Sequence, residues 1–175
     1  INIKNKDSKI KILDIGTGSG CLAISLAKEL RNAKITAIDI SKKAIDVAKK
    51  NIRLHNAQKQ IKIIQSDIKD INTKFDIIIS NPPYIDYNQY KMLPKEIKKF
   101  EPKIALYGGV DGLKFYKLFS KKLEHIMNKN SIFVCEIGYN QLNLCKNIFS
   151  NTKLKLKKIS KDINKIDRTL TFLKI

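Results

Sequence analysis

Residues 10–21 read IKILDIGTGSGC, and the fold of the chain is decided there. The run IKILDI (10–15) is short, nearly continuous in apolar residues and rich in β-branched ones, which predicts a strand buried on both faces. It ends in Gly16-Thr17-Gly18-Ser19-Gly20, and residues 21–30 then carry apolar side chains at helical spacing. A glycine-rich turn between a strand and a helix lets a ligand approach the backbone closely and points helix N–H groups at it. Outward from this unit the pattern repeats. Residues 35–40 (ITAIDI), 61–64 and 75–80 (FDIIIS) read as further buried strands. Residues 42–55 read as a helix, with Ala44, Ile45, Val47, Ala48 and Ile52 on its apolar face and Ser41 at the N-cap position.

Residues 81–111 interrupt the rhythm: they hold all four prolines and several tyrosines without a clear period, and predict a long functional loop. Beyond it, 113–127 reads as a helix, 131–137 as a strand and 141–149 as a helix. Residues 154–159 and 169–173 read as a closing strand pair. The expected fold is α/β: one Rossmann-like domain over residues 1–175, with an open, mostly parallel, doubly wound sheet and an antiparallel C-terminal strand.

Composition narrows the class. With 175 residues, 43% apolar and 29% charged, the chain can bury an ordinary globular core. No uncharged apolar run reaches the roughly 18 residues of a membrane span. The N-terminal INIKNKDSKI offers no apolar stretch for a signal peptide, and its lack of an initial Met is expected of a segment from a longer protein. Cys21, Cys135 and Cys145 are odd in number and far apart, matching neither a disulfide framework nor a zinc spacing. They read as small core or surface residues in a reducing cytoplasm, with no metal expected. His55 and His125 fall on predicted helices and read as surface or core filler. The formal charge of +19 would attract nucleic acid or a ribosome-associated partner. The lysines are nevertheless scattered along the whole chain, and the heavy use of Ile, Lys and Asn also fits codon drift in an AT-rich genome.

Three strand ends supply the candidate cofactor site. The dinucleotide fingerprint needs G-x-G-x-x-G; here Cys21 stands at its last position and the spacing is G-x-G-x-G, favouring S-adenosylmethionine, which has no pyrophosphate. Asp39, ending the second strand, can accept hydrogen bonds from both ribose hydroxyls. Asp67, after the third, can accept from the adenine amine, with Ile68 packing on the ring. The bland alternative is a turn of glycines beside helix-capping aspartates.

The fourth strand ends in Ser80-Asn81-Pro82-Pro83-Tyr84. At the carboxyl end of a strand beside a cofactor crevice, this sequence suits an amine or amide clamp. An amide nitrogen is a poor nucleophile because its lone pair is delocalised. Accepting both N–H bonds, at the Asn81 side-chain oxygen and the Pro82 carbonyl, turns that lone pair toward a sulfonium methyl. The prolines preorganise the acceptors, and Tyr84 offers a π face to developing positive charge. Elsewhere the same residues would be a stiff surface turn.

Residues 14–20, Asp39, Ser66-Asp67 and Asn81-Pro82-Pro83-Tyr84 together resemble a class I methyltransferase acting on planar nitrogens. Adenine DNA and guanine RNA methyltransferases share the Asn-Pro-Pro-Tyr element. Phe100-Glu101-Pro102, Ala105-Leu106-Tyr107-Gly108-Gly109-Val110-Asp111-Gly112-Leu113, Glu136-Ile137-Gly138 and Ile166-Asp167-Arg168-Thr169 resemble the peptide chain release factor glutamine methyltransferase family. The resemblance runs from residue 10 to 175. It implies cofactor contacts at Gly16, Thr17, Gly18, Ser19, Gly20, Asp39, Ile68 and Asn81, and glutamine contacts at Asn81, Pro82, Pro83 and Tyr84. It implies methylation of the Gly-Gly-Gln glutamine of release factors, leaving S-adenosylhomocysteine, with Asn81, Pro82 and Tyr84 catalytic. Phe100-Glu101-Pro102 and residues 108–112 are expected to shape the acceptor pocket. Family members carry an N-terminal helical domain that is absent from these 175 residues. The competing readings are a nucleic-acid exocyclic-amine methyltransferase and a non-catalytic cofactor-binding module. A base-extracting enzyme would need residues 85–111 to read its target, and no obvious aromatic–basic surface stands out there in the sequence.

Overall fold

The computed structural model describes residues 9–175; the stretch read as lacking a leader peptide lies mostly in residues 1–8, outside the described residues. Seven strands form one sheet in the order β3-β2-β1-β4-β5-β7-β6. They are β1 (Lys11–Ile15), β2 (Lys34–Asp39), β3 (Ile61–Gln65), β4 (Phe75–Ser80), β5 (Met127–Glu136), β6 (Leu154–Lys161) and β7 (Asp167–Lys174). The first five run parallel, and β7 runs antiparallel to both of its neighbours. The expected sheet and its reversed last strand are both present.

Parallel neighbours need crossovers. These are α1 (Cys21–Glu29), α2 (Lys42–Leu54) and α6 (Lys114–Ile126), with α7 (Leu142–Phe149) leading to the terminal hairpin. Ser41 caps α2 as expected, its hydroxyl accepting from the Ala44 amide at 3.3 Å. Alternate side chains of each strand serve opposite layers. In β1, Ile12 packs with Ala23, Ile24 and Ala27 on one face, while Leu13 packs with Ile78, Tyr116 and Phe133 on the other. Phe119, Phe133, Phe149 and Phe172 form the aromatic heart of the second layer, where the Phe149 and Phe172 rings lie 4.5 Å apart. Burying each ring is worth about 1.5–3 kcal/mol.

Strand order reverses between β1 and β4, the point beyond whose strand ends an open α/β sheet offers its ligand crevice. Ile15 pairs with Ser80, and the Ser80 hydroxyl donates to the Ile15 carbonyl at 2.9 Å. That bond places the glycine loop and Asn81 side by side.

Four expectations are corrected. Residues 81–111 are not one loop; they contain α3 (Tyr87–Met92), α4 (Lys95–Phe100) and α5 (Lys103–Leu106). At four to six residues each, these helices are too short for an apolar period to accumulate, and none buries a residue. Pro94 and Pro102, read as loop markers, stand at the N-caps of α4 and α5, where a missing N–H costs nothing. β5 starts at Met127 rather than 131, its polar stretch Asn128–Asn130 hiding the run. His55 is the C-cap of α2 rather than part of the helix. The terminal hairpin is longer than expected because its outer strand β6 is mostly exposed, with Lys155, Lys157, Lys158 and Lys161 extending it beyond the packed Leu154 and Leu156. Lysines along a sheet edge discourage pairing with other chains. Among the described residues no helix is long and apolar enough to cross a membrane.

Candidate functional site

The loop after β1 is built by backbone. Gly16, Gly18 and Gly20 have φ of 69°, 56° and 83°, a region that disfavours side chains. A Cβ placed on Gly16 or Gly18 would meet nothing within 4 Å, so that face of the loop is open. The loop is tied to β2 by the Gly16 and Thr17 amides, each donating to the Ile38 carbonyl at 2.9 Å. Gly20, at the N-cap of α1, supplies no side-chain cap, and of the first-turn N–H groups the Ala23 amide is directed at Asp14 beneath the loop. Asn51 reaches over from α2 and donates to the Ser19 carbonyl at 2.8 Å.

Asp39 ends β2 and its two oxygens accept from Gly18 N (3.0 Å) and Ser41 N (2.9 Å). Both carboxylate oxygens keep a lone-pair direction for further donors. Asp67 accepts from Lys69 N at 2.9 Å and caps the turn Ile68–Asp70, while Ile68 is 4% exposed and belongs to the core. The aspartates therefore do cap local structure, and they do so at successive strand ends around one crevice.

One group that sequence reading left without a role lies beneath the loop. Asp14 is 1% exposed; one oxygen accepts from the Thr17 hydroxyl at 2.6 Å, and Oδ1 has no hydrogen-bond partner. Burial pushes its pKa up to about 6, against the pull of the Thr17 hydroxyl and the nearby Ala23 amide. An unsatisfied buried carboxylate oxygen fits a cationic ligand group. The sequence signal was a carboxylate between Leu13 and Ile15 in the buried part of β1.

Across the crevice, the Asn81 side chain is exposed and hydrogen-bonds to none of the described residues; Pro82 is buried. No donor among the described residues reaches the Pro82 carbonyl. Tyr84 is half-buried, and its hydroxyl donates to Glu136 Oε1 at 2.9 Å. Burial, then the Glu136 charge and hydrogen bond, push the phenol up to about 12, so Tyr84 stays neutral and is no base. Glu136 is thus the anchor of the Tyr84 hydroxyl.

Residues 105–112 back the clamp. Ile85 N donates to the Leu106 carbonyl (3.0 Å), Gly108 N to the Ile85 carbonyl (2.8 Å), and Tyr87 N to Val110 (3.3 Å). A Cβ at Gly108 would stand 2.7 Å from the Pro83 carbonyl oxygen and 2.8 Å from Tyr84 Cα. Glycine is required there by close approach of two backbones. Phe100 is 76% exposed, and Glu101 is also exposed. Above this backing, lysines lie over aromatic rings: Lys91 4.3 Å from the Tyr87 centroid, Lys103 4.9 Å from Tyr107. An aromatic–basic surface is therefore present where the sequence had shown none; folding brings together residues separated by helical turns.

Among the described residues, no group of three or more His, Cys, Asp or Glu is placed to hold a metal ion. Cys135 and Cys145 are buried, and Cys21 is exposed at the start of α1. His55 is exposed, with Nδ1 3.2 Å from Lys28 Nζ.

The arrangement is thus an open glycine loop with flanking carboxylates, facing two polar acceptors without donors. Known proteins match it. A "Bifunctional methyltransferase" of Rickettsia bellii is 38% identical over 169 residues, 95% of this chain and 30% of its own length. A "Release factor glutamine methyltransferase" of Fusobacterium nucleatum is 36% identical over 173 residues, 97% of this chain and 49% of its own. The chain thus spans less than half the length of either relative. Among solved structures, a methyltransferase from Pyrococcus furiosus superposes with a TM-score of 0.71 at 19% identity, covering 99% of this chain and 79% of that one. Residues 2–99, which carry the glycine loop, Asp14, Asp39, Asp67 and Asn81-Pro82-Pro83-Tyr84, match the model of the methyltransferase small domain. With more than half of its length matched, the crevice included, the chain belongs to the methyltransferase small domain family.

Proposed function

We propose that the protein is the catalytic domain of a cytoplasmic enzyme that moves a methyl group from S-adenosylmethionine to the glutamine side-chain amide of a release factor's Gly-Gly-Gln motif. The observation that carries this reading is the pair of undonated acceptors, the Asn81 side chain and the Pro82 carbonyl, fixed beside the open glycine loop. The 36% identity to the Fusobacterium relative across 97% of this chain supports the choice of acceptor.

S-adenosylmethionine supplies an electrophilic methyl on a sulfonium. The glycine loop and Asp39 hold the donor, with Asp67 and Ile68 at its adenine end. Asn81 and Pro82 accept the two amide hydrogens, which rotates the nitrogen lone pair toward the methyl. As the N–C bond forms and the C–S bond breaks, those acceptors stabilise charge on nitrogen. The Tyr84 ring, held by Glu136, faces that charge. The extra proton leaves after transfer, so no strong base is needed.

Asp14 would meet the donor's ammonium group. The folded carboxyl titrates above its unfolded value of 3.8, so its ionisation costs fold stability: that cost is absent below about pH 4 and is reached in full above pH 6. A bound cation offsets the cost. Calorimetric titration is therefore expected to show donor affinity weakening as pH falls through 6, by up to about tenfold per unit. A flat affinity from pH 7 to 5 would remove Asp14 from this role.

The test of function offers labelled S-adenosylmethionine with release factor, ribosomal RNA and DNA in parallel. Label on release factor is the expected outcome. The second reading, methylation of a nucleic-acid amine, has one observation in its favour: the lysines over Tyr87, Tyr90 and Tyr107 beside the clamp. Label on RNA or DNA alone would select it.

A further inference from the structure

Gln141 is 8% exposed and sits at the N-cap of α7 without capping it. Its amide instead joins three separate segments. Nε2 donates to the Tyr84 carbonyl at 2.9 Å and to the Gly112 carbonyl at 3.4 Å, while Oε1 accepts from the Gly138 amide at 2.9 Å. The first lies in the acceptor clamp, the second in the loop that backs it, and the third follows Glu136, which holds the Tyr84 hydroxyl. A Cβ on Gly138 would come within 2.9 Å of both Gln141 Oε1 and the Tyr84 ring, so the junction has no spare room.

We propose that Gln141 is the positioning residue of the methyl-acceptor clamp, its single amide fixing the Tyr84 backbone against residues 108–112 and the end of β5. This rests on the reading of Asn81-Pro82-Pro83-Tyr84 as that clamp. The chemistry requires an amide, which donates twice and accepts through one rigid group. A carboxylate would turn its second oxygen against two carbonyls, a methionine would take this partner from three backbone groups, and an asparagine is one carbon too short. Gln141 hydrogen-bonds to Tyr84, Gly112 and Gly138 and to neither the glycine loop nor Asn81, so it acts through Tyr84. A misplacement of about 1 Å at a reacting centre costs on the order of 100-fold in rate.

The test compares Gln141→Met and Gln141→Glu with the wild type in methyl transfer to release factor, alongside S-adenosylmethionine affinity. The expected result is a kcat lowered at least tenfold in both variants with donor affinity within twofold. The Gln141→Glu to wild-type kcat ratio should rise as pH falls, because the protonated carboxyl regains one donor; burial places that recovery above the free value of about 4.3. The Met variant, with nothing to protonate, shows no such recovery and separates it from general effects of pH. Wild-type kcat in either folded variant, a pH-independent ratio in Gln141→Glu, or a parallel loss of donor affinity would overturn the assignment. Should the wild type label nucleic acid instead, the glutamine reading falls and the same ratios decide the assignment on that acceptor. If no acceptor is labelled, both fall.

Discussion

Replacing Asn81 by alanine is expected to lower kcat by about 10²–10³-fold, the loss seen when one preorganised transition-state hydrogen-bond partner is removed. Asn81 is exposed and its side chain bonds to none of the described residues, so stability should stay within about 0.5 kcal/mol of the wild type. Donor affinity should fall far less than kcat, because the glycine loop, Asp14 and Asp39 remain. Turnover and calorimetric binding on the same preparation separate the two effects. A variant that retains a third of wild-type kcat would mean that the acceptor amide is held elsewhere.

The second large effect concerns stability as well as rate. Gly112 has φ of 70°, and an added Cβ would lie 2.5 Å from the Tyr84 carbonyl oxygen and 2.7 Å from Gln141 Nε2. Left-handed backbone costs a side chain about 1–2 kcal/mol, and forced overpacking adds about 1–3 kcal/mol. Gly112→Ala should therefore destabilise the fold by about 2–5 kcal/mol. At roughly 2–4 °C per kcal/mol for a chain of this size, thermal unfolding should fall by at least about 4 °C. Gly109→Ala is the control: its φ of 98° is also unfavourable, but the nearest atom to a new Cβ is the Lys114 Cβ at 3.1 Å. It lacks the backbone collision and should lose only the smaller amount. Equal losses at the two glycines would show that the contact with the clamp has no energetic weight.

The sheet was legible because its parallel strands are buried on both faces and their apolar runs, such as FDIIIS in β4, cannot be mistaken for solvated loops. The crevice follows from where those runs stop: the pattern of apolar residues alone sets Asp39 and Asn81 at strand ends. Residues 87–106 were not legible, since one-turn helices with no buried residue leave no periodicity. Asp14 was visible only as part of a motif; its unsatisfied oxygen is a property of packing. Gln141 and Glu136 were the furthest from reach. They lie 57 and 52 residues from Tyr84 in sequence, and only the pairing of β4 with β5 brings them together. Local patterns report on neighbours along the chain, whereas the support of a site comes from neighbours across the sheet.

The central claim is the identity of the methylated atom. Tandem mass spectrometry of release factor, after incubation with this protein and S-adenosylmethionine, reads it directly. The account predicts one methyl group on the side-chain nitrogen of the Gly-Gly-Gln glutamine, absent with Asn81→Ala. An unmodified glutamine beside methylated RNA or DNA, or a methyl on any other residue, would contradict it.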